Sequence, residues 1–210
     1  MRTVLLIGAI IIGSGVASAA PDQVLPVQPG SSIFWTSAYD GGSDNFRETV
    51  IAQGDDFEIY RNDGDWSDGG VADHFALFSG IYFASCDTEM PSAEERTEIA
   101  GLWPLTSGAS VELSNGNGTR FEIGVSQEFF MMGKTWAAHT ITGTYSGDEP
   151  SEEALIVLDE FPLTVAVHWE DGTKDTATLV TKPTSVASTL IDTDLIGNCA
   201  SLLNNPRNKN

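Results

Sequence analysis

Apolar and polar residues alternate with a period of two along most of the chain after residue 31, and β-branched and aromatic residues are frequent in these stretches. This pattern is typical of β-strands that place one face against a core. Clusters of Gly, Asp and Asn separate the stretches and indicate turns between them. The predicted strands cover residues 33–39, 46–52, 57–61, 109–113, 119–125, 135–145, 154–158, 163–169 and 175–182.

Residues 74–86 form the most apolar segment after the N-terminal region. Phe, Ile and Tyr favour a strand over a helix in this segment. Gly80 lies in its middle, where a glycine permits a bulge or bend. We therefore expect one buried central strand that bends at Gly80.

Two short helices are predicted. Ser92 is followed three residues later by Glu95, which is the capping-box pattern at a helix N-terminus, so a helix is expected over residues 93–100. Between residues 185 and 203 the Leu and Ile residues are irregularly spaced, and we expect a short C-terminal helix that carries Cys199.

Most predicted strands follow one another without an intervening helix, which favours antiparallel pairing. The expected fold is mainly β, an antiparallel β-sandwich or barrel-like single domain over residues 32–203, with one short central helix and a short C-terminal helix. Residues 20–31 contain three prolines and form an extended lead-in, and residues 204–210 form a flexible tail.

The N-terminus has the pattern of an export signal. Arg2 precedes an apolar run over residues 4–12, and the small residues Ala17 and Ala19 suit cleavage. The run is shorter than the roughly 20 residues that a spanning helix needs. We expect residues 1–19 to be removed as a signal peptide. The mature chain is then expected to be periplasmic or extracellular and not to insert into a membrane.

An exported chain meets an oxidising compartment, where an even number of cysteines usually pairs. Cys86 and Cys199 are the two cysteines of the chain. We therefore predict a structural disulfide between Cys86 and Cys199 that attaches the C-terminal segment to the body of the domain.

The chain is strongly acidic, with 30 acidic and 10 basic residues and a formal net charge of -20. This charge repels phosphate backbones and anionic lipid headgroups. Nucleic acid is therefore excluded as an expected partner, and the acidic surface is consistent with solubility.

One loop carries a candidate binding pattern. Asp63, Asp65 and Asp68 have a spacing close to that of oxygen ligands around Ca²⁺, with Trp66 and Ser67 between them. The sixth loop position is Asp68 rather than Gly, so this is no EF-hand. Trp66 could stack on a sugar or a cation. The alternatives are a solvated turn for the acids and a lid on the barrel edge for Trp66. Apart from this candidate Ca²⁺, no cofactor is expected.

Catalytic patterns are weak. His74 follows Asp73, but neighbouring residues in a strand point to opposite faces, which argues against their pairing. The chain after the signal has no G-x-S-x-G nucleophile motif and no zinc-ligand spacing.

The sequence therefore favours a non-catalytic ligand-binding or interaction module of a bacterial envelope, whose partner is a small molecule or an envelope protein. One alternative is a hydrolase or lyase with paired carboxylates in a β cleft. Another is a purely structural envelope component. The carboxylates considered for the enzyme are Glu58, Asp63, Asp65, Asp159 and Glu160.

Overall fold

The computed structural model describes residues 27–63, 72–78, 80–114, 118–146, 151–160, 162–181 and 196–204. The predicted signal peptide lies outside these residues, as do most of the lead-in and of the C-terminal tail. The described chain is mainly β with short helices, which confirms the predicted fold class.

The strands lie close to the predicted positions, and several extend further than the alternation indicated. They are β1 (Ser32–Tyr39), β2 (Gly42–Gln53), β3 (Phe57–Asn62), β4 (His74–Leu77), β5 (Tyr82–Ser85), β6 (Ser110–Glu112), β7 (Arg120–Met131), β8 (Lys134–Tyr145), β9 (Ser151–Leu158), β10 (Thr164–Trp169) and β11 (Lys174–Thr181).

All of these strands belong to one antiparallel sheet with the order β5-β4-β3-β2-β1-β11-β10-β9-β8-β7-β6. Neighbours in the sheet are mostly neighbours in sequence, as hairpin connections dictate. The exception is the pairing of β1 with β11, which brings the two halves of the domain together.

The sheet curls strongly. Phe83 on β5 and Trp169 on β10 contact each other edge to face, with ring centroids 5.6 Å apart. These strands are six places apart in the sheet, which would separate them by about 29 Å in a flat sheet at ~4.8 Å per strand. The curl gives the sheet a barrel-like concave side, on which the pocket described below lies.

The expectation of one bent central strand over residues 74–86 is wrong, because the segment forms two strands joined by a turn, β4 and β5, and β5 is an edge strand of the sheet. Phe78 has φ 49° and Gly80 has φ 105°, and Gly80 N–H donates to the Leu77 carbonyl at 3.1 Å. These positive φ angles allow the chain to reverse its direction in a turn, whereas a bulge would have let the strand continue in the same direction.

The predicted helices are present. Helix α1 spans Ala93–Ala100 and begins at Ser92, whose side chain accepts from the Glu95 backbone N–H while the Glu95 carboxylate accepts from the Ser92 N–H. Near the C-terminus a 3₁₀ turn, Gly197–Cys199, leads into α2, Ala200–Asn204.

The predicted disulfide is confirmed: Cys86, directly after β5, bonds Cys199 beside α2, with the two Cα atoms 4.9 Å apart. Ile99 of α1 and Leu202 of α2 pack in the same apolar core as this disulfide. A second core contains Ile33 and Val165 and lies beside the pocket. Within the described ranges, no helix is long and apolar enough to cross a membrane.

Candidate functional site

A pocket of about 90 Å³ opens on the concave side of the sheet, between β1 to β5 on one side and β10 and β11 on the other. Its lining is mainly apolar and aromatic, and it includes four polar or ionisable residues besides the Trp, Tyr and Phe side chains. The Trp, Tyr and Phe residues are Trp35, Phe46, Tyr60, Phe83 and Trp169, and the polar or ionisable ones are Glu48, His74, Thr164 and Asp175.

His74 lies between two carboxylates at one side of the pocket. Its Nδ1 is 2.6 Å from Asp73 Oδ1, and its Nε2 is 3.3 Å from Glu48 Oε1. Tyr60 pairs with His74 across β3 and β4, and their rings stack with centroids 5.3 Å apart. The imidazole is therefore held in one orientation by contacts on both of its nitrogens and on one face.

These contacts determine the charge of the imidazole. Burial by itself would lower the pKa of His74, but the hydrogen bonds with Asp73 and Glu48 and the charges of both carboxylates outweigh it and raise the pKa to about 9. His74 is thus an imidazolium at neutral pH.

Each of the two carboxylates that line the pocket accepts a hydrogen bond from a tryptophan. Trp35 Nε1 donates to Glu48 Oε2 at 2.8 Å, and Trp169 Nε1 donates to Asp175 Oδ2 at 2.7 Å. The indole N–H groups satisfy one oxygen of each carboxylate and fix its position. The pairing of β1 with β11 brings these two Trp-carboxylate pairs to one cavity.

Two polar atoms of the lining have no hydrogen-bond partner within the described part of the chain. They are Asp175 Oδ1 and Thr164 Oγ1, and both atoms are buried. Thr164 as a whole is 6% exposed. A buried polar atom without a partner is costly, so both atoms mark places where a bound molecule could supply a hydrogen bond.

Most of the predicted binding loop cannot be placed relative to this pocket. Asp65, Trp66, Ser67 and Asp68 fall outside the described residues, so the Ca²⁺ prediction stays a prediction. Asp63 is described, and its carboxylate is ion-paired with two guanidinium groups: Arg47 Nε donates to Oδ2 at 2.7 Å, and Arg61 Nε lies 2.9 Å from Oδ1.

Asp65, one of the carboxylates considered for an enzyme, falls outside the described residues, and the other four are ion-paired with basic residues or buried. Asp159 Oδ1 is 2.7 Å from His139 Nδ1, and Glu160 lies 3.4 Å from Lys134 Nζ. Glu58 is fully buried on β3. The pocket is lined instead by Glu48 and Asp175, which the sequence did not single out.

One sequence-based argument about His74 is wrong. Asp73 and His74 were expected to face apart, yet their side chains share a hydrogen bond. Asp73 precedes the first residue of β4, so strand alternation does not apply to it. The sequence contains one signal for Glu48, since Glu48 alternates with Phe46 and Val50 on one face of the predicted strand 46–52. Such a mixed face is typical of a strand half exposed to water, so it does not by itself indicate a pocket.

Among the residues that the structure describes, no group of three or more His, Cys, Asp or Glu side chains is arranged to hold a metal ion. No protein-family model, curated protein or solved structure matches this chain. Its function therefore has to be inferred from the chemistry of the pocket.

Proposed function

We propose that this protein is an exported, non-catalytic ligand-binding protein and that the pocket on the concave side of its sheet is the binding site. The observation that carries the proposal is that one cavity combines five aromatic side chains with two buried polar atoms that have no hydrogen-bond partner among the described residues. Apolar walls with a few convergent polar groups are typical of small-molecule sites.

The size of the pocket favours a small ligand or a small headgroup. Its volume of about 90 Å³ is below the ~150 Å³ of an engineered cavity that binds benzene. The pocket is partly open to solvent, so the remainder of a longer ligand can extend outside it.

The hydrogen bonding around His74 favours binding over catalysis. Both ring nitrogens of His74 contact carboxylates, and both oxygens of Glu48 have partners. Burial, together with the charges of Glu58 and Glu48, raises the pKa of Tyr60 well above its usual value, so its hydroxyl stays protonated. A general base needs a free lone pair within reach of the substrate. His74 is therefore better suited to holding Glu48 in place.

Two features support export to an envelope or extracellular location. The chain begins with the charged, apolar and small-residue pattern of a signal peptide. Cys86 and Cys199 form a disulfide, which persists mainly in oxidising compartments.

The proposed function is tested by changing the pocket without changing the surface. Ala76 lines the pocket, so Ala76→Phe places a ring in the cavity, whereas Ala38→Phe adds the same ring at an exposed position of β1. We expect small-molecule ligands from a broad panel to raise the melting temperature of the wild type and of Ala38→Phe, but not of Ala76→Phe.

A second measurement does not depend on the folding of a variant. Native mass spectrometry of protein purified from its own compartment should show a bound small molecule. If the wild type carries no ligand and no compound in the panel changes its melting, the proposal is wrong.

A second candidate function is a hydrolase or lyase. Glu48 on β2 and Asp175 on β11 come from different strands and line the same pocket, and catalysis by paired carboxylates uses two such groups on either side of the substrate. Turnover of glycoside or ester substrates that is abolished by both Glu48→Gln and Asp175→Asn would establish this candidate and overturn the non-catalytic proposal.

A further inference from the structure

We infer that the pocket binds an organic cation that carries N–H donors, namely a primary ammonium or a guanidinium group, and that Asp175 and Thr164 are the residues that recognise it. This inference rests on the proposed function, since it names the class of ligand for the same pocket.

Asp175 supplies the first argument. Trp169 satisfies Oδ2, but Oδ1 is buried and has no hydrogen-bond partner in the described chain. A carboxylate oxygen only accepts hydrogen bonds, so the missing partner must be a donor. A charged donor forms the stronger bond to a carboxylate and also compensates its charge.

Thr164 supplies the second, independent argument. Its hydroxyl lines the same pocket, is buried, and has no partner among the described residues. A hydroxyl oxygen has two lone pairs and can accept from the same N–H group or from a second one. An ammonium with three N–H donors, or a guanidinium with several, can serve both Asp175 Oδ1 and Thr164 Oγ1 at once.

The charge of the site favours the same ligand class. The carboxylates of Asp73, Glu48 and Asp175 outnumber the single imidazolium of His74, and no other described lining residue carries a positive charge. An anionic ligand would meet net repulsion in a partly desolvated site. A neutral ligand would leave the charge of Asp175 uncompensated.

The aromatic walls complete the argument. Trp35, Phe46, Tyr60, Phe83 and Trp169 surround the cavity. Aromatic faces attract desolvated cations more strongly than neutral groups of the same shape. A cavity of about 90 Å³ suits a compact cationic head whose alkyl tail leads toward solvent.

The test compares small ligands of different charge, four of them with an unbranched alkyl chain, by titration calorimetry at neutral pH. The probes are n-butylamine and n-butylguanidine, which are cations, n-butanol as the neutral analogue, butyrate as the anion, and tetramethylammonium as a cation without N–H. We expect the two N–H cations to bind at least about ten-fold more tightly than the other three probes, because a hydrogen bond to a charged group contributes at least this factor to the affinity.

Variants then assign the residues. Asp175→Asn removes the charge with little change in shape and should weaken butylamine binding about ten-fold or more, and Thr164→Val should weaken it several-fold. Glu170→Gln makes the same change of charge at an exposed position of the β10–β11 hairpin and should leave the affinity unchanged.

The outcomes separate the two proposals. If butanol or butyrate binds as well as butylamine, and Ala76→Phe abolishes that binding, the pocket is a binding site but the cation inference is wrong. Tight binding of tetramethylammonium equal to that of butylamine would also reject the role given to Asp175 Oδ1 and Thr164. Binding of none of the probes overturns the cation inference, while a copurified neutral or anionic ligand would preserve the proposed function. These wild-type comparisons decide the matter even if a variant fails to fold.

Discussion

Trp169 Nε1 donates a 2.7 Å hydrogen bond to Asp175 Oδ2 across the hairpin of β10 and β11. The same indole ring contacts Phe83 on the opposite side of the curled sheet. One side chain thus donates to a pocket carboxylate and connects the two sides of the pocket.

Replacing Trp169 tests this arrangement. Trp169→Phe keeps an aromatic ring but removes the donor, which leaves both oxygens of Asp175 without a partner in the described chain. We expect a loss of about 1–3 kcal/mol in the free energy of unfolding, measured by urea denaturation. Trp136→Phe is the control, because Trp136 Nε1 donates to the neutral Met131 carbonyl at 3.2 Å. This variant should lose less unfolding free energy than Trp169→Phe. Equal losses in both variants would contradict the role of the Asp175 charge.

The pKa of His74 predicts a decline in stability at alkaline pH. The folded-state pKa of about 9 lies above the unfolded value of 6.5, so this stabilisation is complete below pH 6.5 and is lost as the pH rises through 9. The loss should reach roughly 3 kcal/mol as an upper limit. Urea unfolding between pH 6 and 9.5 measures it.

His74→Gln should abolish this alkaline decline, whereas His168→Gln should retain it. His168 is the suitable control because burial and the nearby Lys174 lower its pKa instead of raising it. A decline of the same size in His74→Gln would show that another group causes it.

Glu153 predicts a separate pH effect. It is 6% exposed and accepts a hydrogen bond from the Tyr145 hydroxyl. Burial raises its pKa to about 7, against the lowering effect of the Tyr145 hydrogen bond. The folded state therefore binds the proton more tightly than the unfolded state, and stability should fall by up to roughly 3 kcal/mol between pH 4.5 and 7.

Glu153→Gln mimics the protonated side chain and should remove this fall, so that the variant equals or exceeds the wild type in stability above pH 7. Glu152→Gln, at the exposed neighbouring position of β9, should keep the wild-type pH profile. Urea denaturation at pH 4.5, 6 and 8 distinguishes the two variants.

The features that the sequence predicted well depend on contacts between residues that are close together in the chain. Helix α1 was located to its end residues because Ser92 and Glu95, three residues apart, determine where it begins. The turn at Phe78 was missed because a non-glycine residue with φ 49° is rare, and Gly80 alone is as compatible with a bulge as with a turn.

The pocket was beyond prediction from sequence for a different reason. Trp35, Glu48, His74 and Asp175 are spread over about 140 residues of chain, and they meet only because the sheet curls and β1 pairs with β11. Periodicity identifies which face of each strand is apolar, but it does not give the order of the strands.

Gly54 offers a test of packing. A Cβ at this position would lie 2.0 Å from Cε1 of Phe57, which is 1% exposed in the core. Gly54→Ala must displace the Phe57 ring and should cost about 1–3 kcal/mol. Gly42→Ala should be nearly neutral, because the nearest atom there is the hydroxyl oxygen of the exposed Tyr39. Thermal unfolding of the two variants measures the difference.

Removal of the disulfide should weaken the fold substantially. The bond between Cys86 and Cys199 closes a loop with a sequence separation of 113 residues. The double variant Cys86→Ser, Cys199→Ser should lose about 2–5 kcal/mol of unfolding free energy, and reduction of the wild type should give a similar loss. Peptide mapping that finds both thiols free in the native protein would contradict the assignment.

The two edges of the sheet, β5 with four residues and β6 with three, are among its shortest strands. An edge strand exposes unpaired backbone groups that can recruit a strand from another molecule, and a short edge presents few of them. This chain should therefore remain dispersed at high concentration without forming fibrils, despite its eleven-stranded sheet.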